Sequence, residues 1–244
     1  MGDKEAIRQA VWDALEAEGA ARFPFPPHGR IPNFAGADAA AERLTTLEWW
    51  AAAEVVKANP DAPQRPVRER ALRDGIAVLM AQPRLRGDRP FWLLDPAAID
   101  DPAEAATIGG AEANARALAP EAVPRVDAVV VGSVAVDRGG RRIGKGEGYS
   151  DLEFAALLEL GRIDREVDVA TTVHPRQLSP DPLPTSPHDV PVDHVATPET
   201  VLHAIERPER PTGIDWASLD ASRLEELPAL AALRPGDGEP DAVS

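Results

Sequence analysis

The N-terminal segment carries the clearest helical pattern of the chain. Ile7, Val11 and Leu15 recur every four residues, which places them on one face of an amphipathic helix over 4–18, and Gly19 stands where that helix would end. Other segments, several of them alanine-rich, predict further helices over 37–50, 64–74, 102–119 and 151–161.

Short apolar runs lie between these helices. The run 76–81 is continuous, which is typical of a strand buried on both faces, and 126–131 is the strongest run of this kind. Strands that alternate with helices predict an α/β fold with a mainly parallel sheet. The other predicted strands cover 55–58, 91–94, 133–137, 167–173, 194–197 and 201–205.

Proline marks the segments that interrupt this alternation. Residues 23–33 include four prolines, and 174–192 are rich in proline and aspartate, so both are predicted to be loops. Both are embedded between regular elements, which favours one domain over 1–234. Residues 235–244 have no apolar periodicity and are predicted to form a disordered tail.

The charge balance is strongly acidic. The chain has 41 acidic and 26 basic residues, a net charge of −15, and its only lysines are Lys4, Lys57 and Lys145. Either a high-salt cytoplasm, where dense carboxylates keep a protein hydrated, or a GC-rich genome that favours arginine codons would produce this composition. The sequence contains no basic stripe suited to nonspecific nucleic-acid binding.

Several classes of protein are excluded by composition. No stretch approaches the roughly 18 apolar residues of a membrane span, and the charged N-terminus does not resemble a signal peptide. The absence of cysteine excludes a disulfide framework and thiol catalysis. We therefore expect a cytoplasmic protein, as a monomer or homodimer, that binds small molecules rather than membrane or nucleic acid.

The segment from Gly144 to Gly148 is the most informative motif. Its alternating glycines let backbone N–H groups approach a ligand, and the helix start that follows adds unpaired N–H groups and partial positive charge. This combination suits an anion, most often phosphate, and Arg141, Arg142 and Lys145 lie beside it. The spacing fits neither a Walker loop nor the dinucleotide fingerprint, so an ordinary loop joining a hairpin to a helix remains open.

The helix start after this loop has its own local signals. Ser150 and Glu153 form a capping-box pattern, and Tyr149 and Phe154 match the hydrophobic staple. Asp151 favours the helix macrodipole without any ligand. Alternatively, together with the loop lysine, it supplies the carboxylate that a nucleotide's Mg²⁺ needs.

Two further segments are candidates for the same site. Lys4 and Arg8 share one helix face, either as a solvated surface pair or as a second anion-binding element. In the segment 188–193, Asp189 either orders a loop or adds an oxygen ligand to Mg²⁺. A transition-metal cluster is the less favoured interpretation, because no zinc signature matches the spacing of His174, His188, Asp189, Asp193 and His194.

Taken in order, these segments resemble the 5-formyltetrahydrofolate cyclo-ligase (methenyltetrahydrofolate synthetase) family. The matching pieces are 4–8, 142–151, Gln177 and 188–193. The resemblance implies a three-layer α/β/α fold related to the ribose-5-phosphate isomerase and CoA-transferase group. It also implies the ATP- and Mg²⁺-dependent conversion of 5-formyltetrahydrofolate to 5,10-methenyltetrahydrofolate, with release of ADP and phosphate and with no protein nucleophile.

The resemblance also assigns roles to individual residues. Lys4 and Arg8 would hold the ATP phosphates, with Arg8 also near the folate, and Asp151 and Asp189 would help to hold Mg²⁺. Catalysis would rest on Arg142, which with the glycine loop would wrap ATP and approach the formyl group, and on Lys145, which would stabilise the transferring phosphoryl. The loop residues that would wrap ATP are Gly144, Lys145, Gly146, Glu147, Gly148 and Tyr149.

The chain departs from the family pattern at two places. The family usually has two aromatic residues and then Asp-Arg after its glycines, whereas residues 149–152 read Tyr-Ser-Asp-Leu. The family's acidic folate contact has no clear match near residues 59–61. These departures keep two alternatives open: a nucleotide- or folate-binding relative without catalysis, and another enzyme of the same fold acting on a phosphosugar or a CoA ester.

Overall fold

A large mixed sheet organises the molecule. The computed structural model describes residues 2–82, 85, 87–206, 208–219, 224–225 and 227–234. The strands are β1 (Ala21–Arg22), β2 (Asn33–Phe34), β3 (Val55–Ala58), β4 (Ala77–Ala81), β5 (Phe91–Leu94), β6 (Arg116–Leu118), β7 (Ala128–Val131), β8 (Ala135–Asp137), β9 (Arg142–Ile143), β10 (Asp168–Thr172), β11 (Leu178–Ser179), β12 (His194–Ala196) and β13 (Val201–His203).

Eight of these strands form the central sheet, in the order β13-β12-β10-β7-β3-β4-β5-β6. The strands from β12 to β4 run parallel to one another. At the two edges, β13 is antiparallel to β12, β5 to β4, and β6 to β5. The prediction of a mainly parallel sheet is therefore confirmed. Each of the eight predicted strands is present with its ends shifted by at most two residues, seven of them in this sheet and one, β8, in a smaller sheet.

Helices cover both faces of this sheet. Because side chains alternate along a strand, Val129 packs in the same cluster as Phe154, whereas Val130 packs with Leu44 and Leu72 on the opposite face. The result is the predicted three-layer α/β/α arrangement. The helices are α1 (Gly2–Ala17), α2 (Ala37–Leu44), α3 (Glu48–Ala52), α4 (Arg65–Arg73), α5 (Pro102–Ala105), α6 (Ile108–Asn114), α7 (Tyr149–Glu159) and α8 (Pro228–Ala231).

Two small sheets support the position of α1. Strands β8, β9 and β11 form one of them, and Ile7 and Val11 of α1 pack beside its residue Ile143. Strands β1 and β2 form the other, which closes the proline-rich loop at its base. Trp12 of α1 packs against Ile31 of that loop. The start of α1 is thereby held near the glycine loop that follows β9.

The predicted helix over 102–119 is wrong in its extent. The segment contains two short helices, α5 and α6, and then the edge strand β6. Thr107 starts the second helix, because its side chain accepts a hydrogen bond from Gly110 N at 2.9 Å. Gly110 packs directly on the backbone of Glu104, where no Cβ would fit. Alanine content alone does not reveal this break.

The predicted helix over 37–50 is likewise divided into α2 and α3. Thr45 and Thr46 donate their hydroxyls to the carbonyls of Glu42 and Arg43, each at 2.8 Å, as the first helix ends. The predicted tail over 235–244 lies outside the described residues. No helix in the described part of the chain is long and apolar enough to cross a membrane.

Candidate functional site

A cavity of about 1110 Å³ opens where β3 and β7 end at their carboxyl sides, the edge at which α/β sheets usually bind ligands. Its walls come from α1, the proline-rich loop, the connection after β3, the glycine loop and the segment 184–189. All the predicted site residues lie on these walls: Lys4, Arg8, Arg142, Gly144, Lys145, Gly146, Glu147, Gly148, Tyr149, Asp151 and Asp189.

The cavity is cationic although the chain is acidic. Among the described residues its wall carries seven arginines and lysines against five carboxylates, in a chain whose net charge is −15. The cations are Lys4, Arg8, Arg30, Arg65, Arg68, Arg142 and Lys145, and the carboxylates are Asp61, Glu147, Asp151, Glu153 and Asp189. This balance favours an anionic ligand.

The glycine loop lies against α1. Arg8 Nε donates to the carbonyl of Gly144 at 2.7 Å, and a Cβ on Gly146 would lie only 3.3 Å from the guanidinium carbon of Arg8. Gly146 and Gly148 have φ of 106° and 72°, a region that favours glycine. Gly148 is also the residue that precedes α7. The loop therefore needs glycine both for its turn and for contact with Arg8.

The capping box predicted at Ser150 and Glu153 is wrong. Helix α7 begins at Tyr149, so Ser150 is already inside the helix, and Gly148 precedes it without any side-chain cap. The Ser150 hydroxyl is buried and has no hydrogen-bond partner among the described residues. Ser150 instead lines the cavity, at the position where the family pattern has a second aromatic residue.

Arg142 is buried and fixes several chain segments at once. Its Nε donates to the carbonyl of Val190 at 2.9 Å, its Nη1 donates to that of Gly132 at 3.3 Å, and its Nη2 forms an ion pair with Asp151. Asp151 also accepts the N–H of Val190 at 2.9 Å. The pair therefore joins β9, the start of α7 and the segment that carries Asp189.

Lys4 and Asp189 form a second pair across the cavity wall. Lys4 Nζ donates to Asp189 and to the hydroxyl of Ser186, and the N–H of Ser186 donates to the same aspartate at 2.6 Å. Lys4 therefore does not form a surface pair with Arg8. Each of the two cations contacts a different part of the site.

Lys145 points toward two carboxylates. Its Nζ lies 2.8 Å from Glu147 Oε2 and 4.0 Å from Asp61 Oδ1. Partial burial acts to lower the pKa of Lys145, but the hydrogen bond to Glu147 and the charge of Asp61 outweigh it and raise the pKa above its ordinary value. Lys145 is therefore a cation at neutral pH, beside the glycine loop.

Asp61 lies on the cavity wall in the connection after β3. Burial raises the pKa of Asp61, against the opposing charges of Lys145, Arg68 and Lys57. Arg68 is fully buried and donates to the carbonyls of Asn59, Asp61 and Ala106. Burial lowers the pKa of Arg68 to about 9. Arg68 thus orders the connection that presents Asp61 to the cavity.

A profile of the 5-formyltetrahydrofolate cyclo-ligase family matches residues 1–198. The chain belongs to this family. The predicted membership is therefore confirmed, and with it the prediction of a ligase family. What the match does not assign is the role of each residue on the cavity wall.

Curated relatives extend over nearly the whole chain. The methenyltetrahydrofolate synthase domain-containing protein of Bos taurus is 39% identical over 236 residues, which cover 95% of this chain and 62% of the relative. The Homo sapiens protein of the same name is 37% identical over 235 residues, which cover 95% and 61%. The chain thus spans about six tenths of the length of these relatives.

A solved structure of the family has the same fold. The solution structure of a 5,10-methenyltetrahydrofolate synthetase from Aquifex aeolicus aligns with a TM-score of 0.52 at 20% identity, over 84% of this chain and 95% of that one. At this identity the likeness supports the three-layer fold alone.

In this chain, the carboxylates of Asp151 and Asp189 are compatible with a bound magnesium ion. The hydrogen bonds to Asp151 end on its Oδ1, and those to Asp189 end on its Oδ2, so each carboxylate keeps a second oxygen that these bonds do not use. Mg²⁺ commonly takes one or two protein carboxylates and completes its shell with phosphate and water. The two residues are also close in space, because the N–H next to Asp189 bonds to Asp151.

The sequence analysis missed a buried ion pair that links the central sheet to the cavity wall. Lys57, in the middle of β3, is fully buried and pairs with Glu153 of α7, and its Nζ donates to Asn59 Oδ1 at 2.7 Å. Burial raises the pKa of Glu153, although the charge of Lys57 opposes this. One signal was present in the sequence: one of only three lysines stands inside a predicted buried strand.

The histidines do not form the metal cluster considered for the sequence. In the described part of the chain, no group of three or more His, Asp or Glu side chains gathers to hold a metal. Asp193 pairs with Arg210, and His194 bonds to Asp168 at 2.7 Å. Gln177 is buried and donates to the carbonyls of Ser133 and Val134.

Proposed function

We propose that this chain converts 5-formyltetrahydrofolate to 5,10-methenyltetrahydrofolate, with ATP cleaved to ADP and phosphate. The observation that carries the proposal is the convergence of Lys4, Arg8, Arg142 and Lys145 on one cavity at the start of α7, in a member of the cyclo-ligase family. The cytoplasmic location of the protein and its oligomeric state, a monomer or homodimer, remain predictions from the sequence.

The glycine loop is proposed to hold the ATP phosphates. Its backbone N–H groups and the start of α7 provide partial positive charge, and Lys145 adds a full charge within the same loop. The Arg8 side chain holds the loop through its hydrogen bond to the Gly144 carbonyl, and it also lines the cavity. We infer that Lys145 stabilises the γ-phosphoryl group as it moves, because preorganised charge is most effective where charge develops.

Phosphoryl transfer explains why no protein nucleophile is needed. The formyl oxygen is a poor leaving group until it receives the γ-phosphoryl group, which releases ADP. The neighbouring folate nitrogen then attacks the formyl carbon, and phosphate leaves with the former formyl oxygen. The protein contributes position and charge rather than covalent chemistry.

Magnesium is proposed to bind near Asp151 and Asp189. When bound, it would neutralise phosphate charge and orient the γ-phosphoryl group. Arg142 keeps Asp151 in place, and Lys4 does the same for Asp189. These residues therefore position the two carboxylates as well as contributing charge to the cavity.

Asp61 is proposed to contact the folate. It is the carboxylate that the connection after β3 contributes to the cavity wall, and Arg68 holds that connection in place. Its carboxylate can accept hydrogen bonds from the donor groups of a pterin ring.

The activity is tested by adding ATP, Mg²⁺ and 5-formyltetrahydrofolate to the purified protein. We expect the absorbance of the methenyl product to rise, with one ADP formed per product, over a range of salt concentrations. Absence of product at every salt concentration would refute the proposed function.

A binding protein without turnover is the second candidate. Two observations favour it: Lys4, Arg142 and Lys145 are each paired with a carboxylate, and Ser150 replaces an expected aromatic residue. Calorimetry separates the two, because this alternative requires ATP or folate to bind while no product forms.

A further inference from the structure

The proline-rich loop contributes an exposed aromatic ring to the cavity. The Phe23 side chain is 78% exposed and lines the cavity, together with Pro24 and Pro26. Phe25 is 59% exposed on the same loop but does not line the cavity. An aromatic ring left in water at the edge of a cavity gains contact area when a flat ligand packs on it.

The loop is held in position before any ligand arrives. Asn33 Nδ2 donates to the carbonyl of Phe23 at 2.8 Å, and β1 pairs with β2 at the base of the loop. Farther along, Trp12 Nε1 donates to the carbonyl of Arg30 at 3.1 Å, and a ring nitrogen of His28 lies 2.8 Å from Asp13. A fixed aromatic face binds at a lower entropic cost than a mobile one.

Arg30 adds a cation of a different kind from those near the glycine loop. It is exposed and lines the cavity, and within the described residues its guanidinium forms no hydrogen bond or ion pair. By contrast, Lys4, Arg142 and Lys145 are each paired with a carboxylate. The proline-rich loop therefore offers an aromatic face and an uncompensated charge together.

We propose that Phe23 and Arg30 form a subsite for the aromatic acid portion of the substrate, the aminobenzoyl-glutamate half of a reduced folate. Phe23 packs on the benzoyl ring, and Arg30 pairs with a glutamate carboxylate. The proposal rests on the proposed function for the nature of the substrate. The pterin ring and adenine are the other flat rings available, but neither carries a carboxylate for Arg30.

The test compares two substrates in wild type and in two variants. The substrates are 5-formyltetrahydrofolate and 5-formyl-6-(methylaminomethyl)tetrahydropterin, which keeps the nitrogen that attacks the formyl carbon but lacks the benzoyl-glutamate portion. We expect Phe23→Ala to raise KM for the full folate on the order of tenfold, to leave kcat and the KM for ATP unchanged, and to have no effect on the truncated substrate. We expect Arg30→Gln to behave in the same way.

Two matched controls are available. Phe25→Ala removes an exposed ring of the same loop, and Arg138→Gln removes an exposed arginine outside the cavity wall. Both are expected to keep the wild-type KM for both substrates. Unfolding curves of all four variants should match that of the wild type, because none of the four side chains is buried.

Several results would overturn the proposal. If Phe23→Ala raises the KM for ATP alone, Phe23 contacts adenine instead. If it raises the KM for both folate substrates equally, or if Phe25→Ala has the same effect, the change reflects a general disturbance of the loop. If the wild type binds the folate without turnover, calorimetry replaces KM and the subsite stands only if Phe23→Ala weakens that binding. Folate that does not bind to the wild type refutes the subsite, and absent turnover by itself refutes only the proposed function.

Discussion

Two ion pairs hold the start of α7 against two different sheets. Arg142 reaches Asp151 from the small sheet, and Lys57 reaches Glu153 from the central sheet. Residues two positions apart on a helix point about 200° apart around its axis. The two ion pairs therefore contact α7 on opposite sides.

The two pairs differ in their access to a ligand. In the inner pair, the side chains of Lys57 and Glu153 are 1% and 5% exposed. The Asp151 side chain is 16% exposed and, among the described residues, accepts hydrogen bonds on Oδ1 alone. We infer that the inner pair stabilises the fold and that the outer pair serves the site. Substitutions that separate stability from activity test this difference.

The largest effect is expected from breaking the inner pair. Lys57→Met leaves the Glu153 carboxylate buried without its cation, and loss of one partner of a buried pair typically costs about 3–5 kcal/mol of unfolding free energy. Chemical denaturation measures this cost. The double variant Lys57→Met, Glu153→Leu is the matched control and should recover most of the loss. A single variant as stable as the wild type would contradict the structural role.

Lys145→Ala is expected to affect catalysis instead. Removal of one preorganised charge near the transferring group typically lowers kcat about 10²–10³-fold. The side chain is partly exposed, so the denaturation midpoint should be nearly unchanged. Lys145→Arg keeps the charge and should retain more activity than the alanine variant. Undiminished phosphoryl transfer in Lys145→Ala would remove this lysine from the proposed site.

Asp151→Asn tests the outer pair. The amide oxygen can still accept the N–H of Val190, but the charge-assisted bond to Arg142 is lost, which typically costs about 1.5–3 kcal/mol. We also expect a higher Mg²⁺ concentration for half-maximal activity. Should the Mg²⁺ dependence equal that of the wild type, Asp151 would be a structural residue only.

Ser150→Ala should have the smallest effect. Its hydroxyl is buried without a partner in the described residues and does not cap α7, so we expect the unfolding free energy to change by less than about 0.5 kcal/mol. The helix-capping role suggested by the sequence requires a loss of about 1 kcal/mol. Thermal or chemical unfolding distinguishes these two values.

Local patterns in the sequence predicted much of the fold and the part of the site around the glycine loop. The apolar runs predicted seven of the eight strands of the central sheet, because buried strands require apolar segments, as in 76–81. The edge strand β6 was not predicted, since it lies within the predicted helix over 102–119. The glycine loop and Arg142 were found because their signals lie within a dozen residues. The break in 102–119 was missed because one threonine cap and one glycine contact decide it.

Contacts between distant residues account for what the sequence did not reveal. Lys57 and Glu153 are 96 positions apart, and nothing local to either residue specifies the other. Asp61 lies 4.0 Å from Lys145, which is 84 positions away in the sequence, and the connection that carries it is held by Arg68. Pairing of this kind depends on how strands and helices pack, which a single sequence does not state.

The central claim is that this cavity joins the formyl oxygen of the folate to the γ-phosphoryl group of ATP. The most direct test uses 5-formyltetrahydrofolate labelled with ¹⁸O in its formyl group, followed by mass analysis of the phosphate released. The account predicts one labelled oxygen in each phosphate formed alongside the methenyl product. Release of the label as water, with unlabelled phosphate, would contradict it.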